Sequence, residues 1–220
     1  MRVSPPARAP ARAASYRAAL ADGQRRLARS DPLLRRLIAR HGDCGLAPKW
    51  RQSPWEALVR AVIYQQLAGA AARTIHARFV GLFPDMRFPT PQAVLAASDE
   101  TLRSVGLSRQ KSSYLRDIAE RTLAGSIPAT RAPLLALADE DVIQLLIQAR
   151  GVGRWTAEML LMSMLGRLDV LPVDDYGVRN GYAKAAGLAA ISGRELAVLG
   201  TRWAPYRSVA SWYLWRAADA

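Results

Sequence analysis

The sequence of 220 residues contains a single cysteine, Cys44, and only two histidines, His41 and His76. One thiol cannot form a disulfide framework, and it cannot supply the several thiolates that a zinc or iron–sulfur site requires. Two histidines are also too few for a metal centre built mainly from imidazoles. The composition therefore excludes the disulfide-stapled class of protein and argues against metal sites made from thiolates or histidines.

Long apolar runs and acidic residues are also scarce. No apolar segment reaches the ~20 residues of a membrane span, so we expect no membrane partner. Lys and Arg together number 31 against 18 Asp and Glu, which gives a net charge of +13. A basic surface of this size attracts polyanions, of which nucleic acid is the usual one. A bias towards GC-rich codons would explain the excess of Arg over Lys, but not the shortage of acids.

Strand patterns are nearly absent, whereas helix start and stop signals are dense. Asp31-Pro32 and Ser53-Pro54 each place a capping side chain before a proline at the first helical position, and apolar residues follow at helical spacing. The one extended stretch, 168–173, is too short and isolated to form a sheet. We therefore predict an all-α fold, with a helical domain over 16–220 and a disordered basic tail over 1–15 in preference to a transit peptide.

A glycine turn joins two predicted helices at about residues 140–165. The first helix runs into Gly151-Val152-Gly153, and the second begins with Arg154-Trp155-Thr156. Glycines permit a tight turn and the close approach of a ligand. The second helix directs its free N–H groups and the positive end of its dipole at an anion, and Arg154 adds charge. The pattern predicts a helix-hairpin-helix that binds DNA phosphates, although an ordinary helical hairpin would share it.

Two consecutive aspartates, Asp174 and Asp175, follow the extended stretch and precede another predicted helix. Either can be a simple N-cap. Amide hydrogen bonds and the helix dipole at such a position also stabilise an ionised carboxylate. Cleavage of a glycosidic bond requires such a group to face an oxocarbenium-like sugar and to orient a water molecule. The pattern alone leaves capping and catalysis open.

The hairpin, the spacing and the aspartate together resemble the helix-hairpin-helix DNA glycosylases, and within them the 3-methyladenine DNA glycosylase II family. Three further stretches carry the resemblance: SPWEALVRAVIYQQLAGAAA at 53–72, GLSRQKSSYLRDIA at 106–119 and WAPYRSVASWYLW at 203–215. The resemblance implies two helical lobes with a cleft between them. It also implies that the N-terminal β-rich domain of longer relatives is lacking, because the residues before the shared region read as helical or disordered.

The family pattern places an aliphatic residue three positions after the catalytic Asp and a basic residue four positions after it. This selects Asp175, with Val178 and Arg179, and leaves Asp174 as the cap. The resemblance implies hydrolysis of the N-glycosidic bond of flipped-out alkylated purines, such as 3-methyladenine and 7-methylguanine, to leave an abasic site. Relatives with lyase activity carry a lysine where this chain has Trp155, which cannot form a Schiff base. We therefore expect a monofunctional enzyme.

The resemblance also assigns the remaining site residues. Trp155, Tyr176 and Trp215 fall where the family lines its base pocket, and aromatic faces attract a cationic alkylated purine. Leu67 matches the wedge that fills the gap left by the extruded nucleotide, with a core leucine as the alternative. The predicted DNA contacts are Gly151, Val152, Gly153, Arg154, Thr156, Leu67, Gln66 and Arg179.

No catalytic cofactor is expected. The main-chain carbonyls of Ile147, Ala149 and Val152 form a candidate site for a structural Na⁺ or K⁺, as in relatives. Endonuclease III-like relatives bind an iron–sulfur cluster through four cysteines, which this sequence does not have. Arg150 stands where relatives often have proline before the hairpin, which adds charge and leaves the turn less rigid.

The expected partner is double-stranded DNA containing damaged bases, bound by a monomer. We expect an intracellular protein, in the cytoplasm at the bacterial nucleoid, or in the nucleus if the source is eukaryotic. Two alternatives stay open. One is a glycosylase for another damaged base, such as uracil or hypoxanthine. The other is a helix-hairpin-helix protein that binds lesions without cutting.

Overall fold

The computed structural model describes residues 9–219, which form two compact units. The first unit combines the chain up to Trp50 with the chain from Leu161 onward, and the second spans Arg51–Leu160. Residues 9–219 contain no β-strand, so the predicted all-α fold with two helical lobes is confirmed. Within the same residues, none of the helices has the length and apolarity needed to cross a membrane.

The helices follow one another through short connections. A π-helical turn, Leu161–Leu165, continues the tenth helix, and a 3₁₀ turn, Thr201–Trp203, follows the twelfth. In chain order the α-helices are α1 (Ala9–Ser30), α2 (Pro32–His41), α3 (Pro54–Tyr64), α4 (Gly69–Gly81), α5 (Pro91–Ala96), α6 (Asp99–Ser104), α7 (Arg109–Leu123), α8 (Arg131–Leu135), α9 (Asp139–Leu146), α10 (Arg154–Leu160), α11 (Tyr176–Ala186), α12 (Gly193–Gly200) and α13 (Arg207–Ala218).

The predicted disordered tail is wrong for residues 9–15, which form the start of α1. This segment is rich in alanine, the residue with the highest helix propensity. Pro10 is the second residue of the helix, where a backbone N–H has no intrahelical partner and its absence removes no hydrogen bond. Residues 1–8 of the predicted tail lie outside the described residues.

The predicted helix starts at Asp31 and Ser53 are confirmed. The Asp31 carboxylate accepts the backbone N–H of Leu33 at 2.8 Å. Ser53 and Glu56 form a reciprocal capping box at the start of α3. The apolar stripe of α3 is fully buried in the second unit, with no solvent exposure at Leu58, Val59, Val62 and Ile63.

In the first unit, helices α11 and α13 cross in close contact at Gly181. A Cβ added to Gly181 would lie 1.8 Å from the carbonyl oxygen of Leu214, so a larger residue would separate the two backbones. This crossing matters for function because α11 begins directly after Asp175, and α13 carries Trp215.

The extended stretch that leads to Asp175 is fastened to the start of α13. The Arg207 guanidinium donates two hydrogen bonds to the Asp169 carboxylate, at 2.7 and 2.9 Å. The backbone N–H of Ser208 donates to the carbonyl of Leu168 at 2.9 Å, and the Ser208 hydroxyl accepts the N–H of Val170 at 3.0 Å. The Arg-Ser pair of the 203–215 motif therefore fixes the loop ahead of the candidate catalytic aspartate.

Asp31 links α2 to the turn before α13 in the interior of the first unit. Its carboxylate is 1% exposed and accepts the indole N–H of Trp203 at 2.7 Å, in addition to the α2 backbone. Arg202 pairs with the same carboxylate at 2.9 Å. Both carboxylate oxygens therefore have donors: Oδ1 accepts from the backbone of α2, and Oδ2 accepts from residues of the 201–203 turn.

Replacement of Asp31 by alanine should lower the free energy of unfolding by about 2–4 kcal/mol, because it removes an N-cap and leaves the buried Trp203 N–H without its acceptor. Thr90→Ala is the matched control, since Thr90 caps α5 through one bond to Ala93 at the surface. The control should cost only about 1 kcal/mol. Urea unfolding of both variants checks this, and equal losses would show that Asp31 acts as an ordinary cap.

Candidate active site and nucleic-acid interface

The Asp175 carboxylate is the N-cap of α11 and also accepts a hydrogen bond from α13. Its Oδ1 atom accepts the backbone N–H of Val178 at 2.8 Å and the indole Nε1–H of Trp215 at 2.9 Å. The residue is 9% exposed, whereas Asp174 is exposed. The assignment of the cap to Asp174 is therefore wrong: the carboxylate predicted to be catalytic is also the one that caps the helix.

Gly177 provides the space in which Trp215 reaches this carboxylate. A Cβ at Gly177 would lie 2.9 Å from Cδ1 of Trp215 and 3.1 Å from Oδ1 of Asp175. Any larger side chain would push the indole away from its acceptor. Trp215 is partly buried, so the structure gives its N–H a positioning role that the sequence did not reveal.

A cavity lies along one face of α11, the helix that begins directly after Asp175. A cavity of about 180 Å³ is lined there by Tyr176, Arg179, Asn180 and Ile191, together with three alanines. Tyr176 is 75% exposed, so it is not a core residue. The Nε atom of Arg179 is buried and has no hydrogen-bond partner among the described residues. The helix that Asp175 caps therefore presents an aromatic ring and an arginine to this cavity.

The two hairpin glycines have different physical roles. Gly151 has a φ of +79°, and a Cβ on it would lie 2.1 Å from the ring of Tyr114, so the fold itself requires glycine. Gly153 is exposed, and a Cβ there would meet no atom of the described chain within 4 Å. The described chain therefore leaves the space beside the backbone of Gly153 open, as the predicted approach of a phosphate requires.

Arg154 stands at the first position of α10, but its charge is already paired. Its guanidinium donates to both carboxylate oxygens of Glu140, at 3.0 and 2.7 Å, and lies 3.3 Å from Glu158. The hydrogen bond from Arg154, with a second from Gln144, lowers the pKa of Glu140 to about 2. Arg154 therefore joins α9 to α10, and its predicted contact with DNA stays a prediction from the sequence.

The turn that precedes the hairpin is fixed even though it lacks the proline of relatives. The backbone N–H of Arg150 donates to the Asp117 carboxylate at 2.9 Å, and Arg121 pairs with the same carboxylate at 2.8 Å. A proline has no N–H and could not make this bond. Asp117 therefore supplies a constraint that a proline at 150 would not permit, and the lower rigidity expected here stays a prediction.

Thr156 lies in the interior of the hairpin. It is 4% exposed, and its hydroxyl is 3.5 Å from the side-chain amide of Gln65. The DNA contact predicted for Thr156 can therefore concern only its backbone. Val152 is buried as well, at 5% exposure, so the same limit applies to it.

Gln66 and Leu67 lie on the exposed connection between α3 and α4. Leu67 is 37% exposed, so the alternative of a core leucine is wrong. Gln66 has a φ of +57°, a left-handed conformation that is uncommon for a residue with a side chain. Backbone strain of this kind is concentrated at functional sites, which agrees with the predicted wedge.

Two residues that the sequence did not single out hold this connection in place. The ammonium of Lys111 donates to the main-chain carbonyls of Ile63 and Gln65, both at 2.8 Å. The Gln65 side chain donates to the carbonyl of Gly151 at 2.8 Å. Lys111 and Tyr114 belong to the 106–119 motif, but the motif did not show what they touch.

Trp155 exposes its side chain at the second position of α10, with 44% of its surface accessible. A core role for this tryptophan is therefore wrong. Its assignment to the base pocket stays a prediction from the sequence.

The carbonyls of Ile147, Ala149 and Val152 fall within one short turn between α9 and α10. A set of neutral carbonyl oxygens suits a monovalent cation better than a divalent ion, which prefers carboxylates. The Ala149 carbonyl also accepts the N–H of Val152 at 3.1 Å, which leaves its second lone pair for a cation. Within residues 9–219 no cluster of three His, Cys, Asp or Glu side chains is placed to bind a metal.

Known proteins are similar to this chain in sequence and in fold. DNA-3-methyladenine glycosylase 1 of Schizosaccharomyces pombe is 40% identical over 167 residues, which cover 76% of this chain and 73% of the relative. The alkylbase DNA glycosidase-like protein mag2 of the same organism is 34% identical over 182 residues, or 82% of this chain and 85% of that one.

A solved structure of S. pombe 3-methyladenine DNA glycosylase (Mag1) in complex with abasic DNA has a TM-score of 0.82 and 35% identity to this chain. The match covers 90% of this chain and 97% of that one. Residues 59–203 match the model of the HhH-GPD superfamily base excision DNA repair protein, and this range includes the hairpin and Asp175. The chain belongs to the HhH-GPD superfamily of base excision DNA repair proteins.

Proposed function

We propose that this protein is a monofunctional DNA glycosylase that hydrolyses the N-glycosidic bond of flipped-out alkylated purines, such as 3-methyladenine and 7-methylguanine. The observation that carries the proposal is the Asp175 carboxylate, which Val178 and Trp215 orient directly before the exposed Tyr176. Relatives named as DNA-3-methyladenine glycosylases at 40% and 35% identity support the substrate class.

Asp175 acts on the sugar. As the bond to the base breaks, the sugar gains oxocarbenium character, and a fixed negative carboxylate lowers the energy of that charge. The bonds from Val178 and Trp215 prevent the carboxylate from rotating, so no reorganisation is needed during the reaction. The same carboxylate orients the water that adds to the sugar and accepts its proton, so that the products are a free base and an abasic site.

The base needs less assistance than the sugar. A purine alkylated at N3 or N7 carries positive charge and leaves as a neutral molecule, so little acid catalysis is required. The exposed ring of Tyr176, the residue after Asp175, presents a face that attracts such a cation. Arg179 lines the same cavity, and in this proposal its guanidinium binds a phosphate of the damaged strand.

The hairpin holds the DNA backbone. The backbone at Gly153 and the first N–H groups of α10 bind a phosphate, and the carbonyls of Ile147, Ala149 and Val152 would hold a Na⁺ or K⁺ beside it. When bound, that cation would supply positive charge towards the phosphate. Leu67, with Gln66, enters the stack where the nucleotide has left.

No lysine occupies position 155, so this position cannot form the Schiff base that leads to strand cleavage. We propose that the protein acts as a monomer on damaged double-stranded DNA. Its place of action is then wherever the chromosome lies, at the bacterial nucleoid or in the nucleus.

Incubation with methylated duplex DNA should release free 3-methyladenine, with strand breaks only after alkali. Asp175→Asn should slow release by about 10²–10³-fold, because asparagine can still cap α11 but carries no charge. Asp174→Asn is the matched control, since it makes the same change at the exposed neighbour. Unchanged release by Asp175→Asn would contradict the mechanism. Release of neutral bases alone, or lesion binding without release by the parent protein, would favour the alternative functions.

Trp215→Phe should reduce single-turnover release by about tenfold, because it removes one of the two donors that fix Asp175. Binding to abasic DNA should stay within about twofold of the parent, since the positively charged surface is unchanged. Trp212→Phe, a partly buried position on the same helix, serves as the control. If both variants lost the same activity, the Trp215 indole N–H would have no special role.

Gly153→Ala should weaken binding to undamaged duplex by about fivefold or more without changing the free energy of unfolding, because its methyl group meets only the approaching phosphate. Gly151→Ala should instead destabilise the protein, since it clashes with Tyr114 at a positive φ. Gly81→Ala, where a Cβ also meets nothing in the described chain, is the control. Filter binding and urea unfolding separate the outcomes, and normal affinity of Gly153→Ala would contradict the phosphate site.

A further inference from the structure

The connection that carries Leu67 is strained and exposed, yet it has a defined conformation. Gln66 has a φ of +57° and Leu67 is 37% exposed, so neither backbone preference nor burial of these two residues holds the turn. A side chain that enters the base stack must be presented at a fixed height above the phosphates. Other residues must therefore fix this turn.

Lys111 fixes the end of α3, from which the turn departs. Its ammonium donates to the carbonyls of Ile63 and Gln65, each at 2.8 Å. The last carbonyls of a helix have no intrahelical donor, and the negative end of the helix dipole attracts a cation. Burial lowers the pKa of Lys111, because desolvation disfavours the ammonium. The two carbonyls are the groups that compensate this cost.

Gln65 connects the same turn to the hairpin. Its side-chain amide donates to the Gly151 carbonyl at 2.8 Å, and the hydroxyl of Thr156 lies 3.5 Å away. Gly151 itself can move little, since the ring of Tyr114 fills the space where a Cβ would be. The wedge turn is thus tied to the part of the hairpin next to the candidate phosphate site at Gly153.

We propose that Lys111 and Gln65 form a latch that sets the position of the Leu67 wedge relative to the phosphate-binding hairpin. The inference rests on the proposed function and deepens it: both are positioning residues, and neither touches the DNA. A phosphate held by the hairpin fixes the register of the duplex, and the latch places the wedge at the matching base step. Without the latch the wedge would sample many positions, and extrusion of a well-stacked base would slow.

The test compares two substrates for each variant. Lys111→Met keeps the length and apolar stem of the side chain but removes its donors, and Gln65→Glu replaces the donor to Gly151 by an acceptor. Single-turnover release of 7-methylguanine from fully paired duplex should fall about tenfold, the effect of losing a charge-assisted hydrogen bond. Release from the same lesion opposite a mismatch should fall less than about threefold, because a weakly paired base needs little help to leave the stack.

Three further variants make the result decisive. Leu67→Ala gives the loss that a missing wedge produces on each substrate. Lys184→Met removes the same kind of bond elsewhere, since the Lys184 ammonium donates to the Ala218 carbonyl at 2.8 Å, and it should leave both rates unchanged. Lys111→Arg can still donate to two carbonyls and should restore most of the rate. If urea titrations show that Lys111→Met is unfolded, Lys111→Arg and Gln65→Glu still test the proposal.

Equal losses on the paired and mismatched substrates, or no loss on the paired one, would overturn the latch. If the parent protein releases no base at all, the proposed function fails, and the latch is judged separately. 2-Aminopurine placed next to an abasic site then reports unstacking in the bound complex. A fluorescence increase that requires both Leu67 and Lys111 supports the latch, and an increase that Lys111→Met leaves intact overturns it.

Discussion

The two hydrogen bonds that Asp175 accepts determine the geometry of the candidate active site. One comes from the first turn of α11 and the other from the indole of Trp215 on α13, so the carboxylate is positioned by the same two helices that cross at Gly181. The loop before it is held by Arg207 and Ser208, which also belong to α13. The packing of α11 against α13 therefore determines how the Asp175 carboxylate is oriented.

The second unit carries the hairpin turn, for which we propose the binding of a DNA phosphate by backbone N–H groups. The fold fixes that turn from within, through Tyr114 against Gly151 and Asp117 under Arg150. The charge of Arg154 joins α9 and α10 through Glu140. An anion site built from N–H groups reads no base sequence. Such a site suits a protein that must inspect any stretch of duplex.

Most helix starts were predictable from sequence, whereas hydrogen bonds between distant residues were not. The caps at Asp31 and Ser53 follow from the side chain, the proline and the spacing within one turn. The cap of α11 was assigned to Asp174, but Asp175 is the cap. Two consecutive aspartates can each cap the same helix, so the sequence did not distinguish them. The bond between Gln65 and Gly151 joins residues 86 positions apart, so no local pattern encodes it.

Asp31 and Asp175 show why a capping pattern cannot by itself identify a catalytic group. Both cap a helix, and both accept a tryptophan N–H, at 2.7 and 2.9 Å. Asp31 is 1% exposed and paired with Arg202, so its charge is neutralised and its oxygens are turned into the core. Asp175 instead precedes a 75% exposed tyrosine and a cavity lined by that residue and by Arg179. The same local chemistry therefore occurs at both carboxylates, and only their surroundings distinguish a cap in the core from the candidate catalytic group.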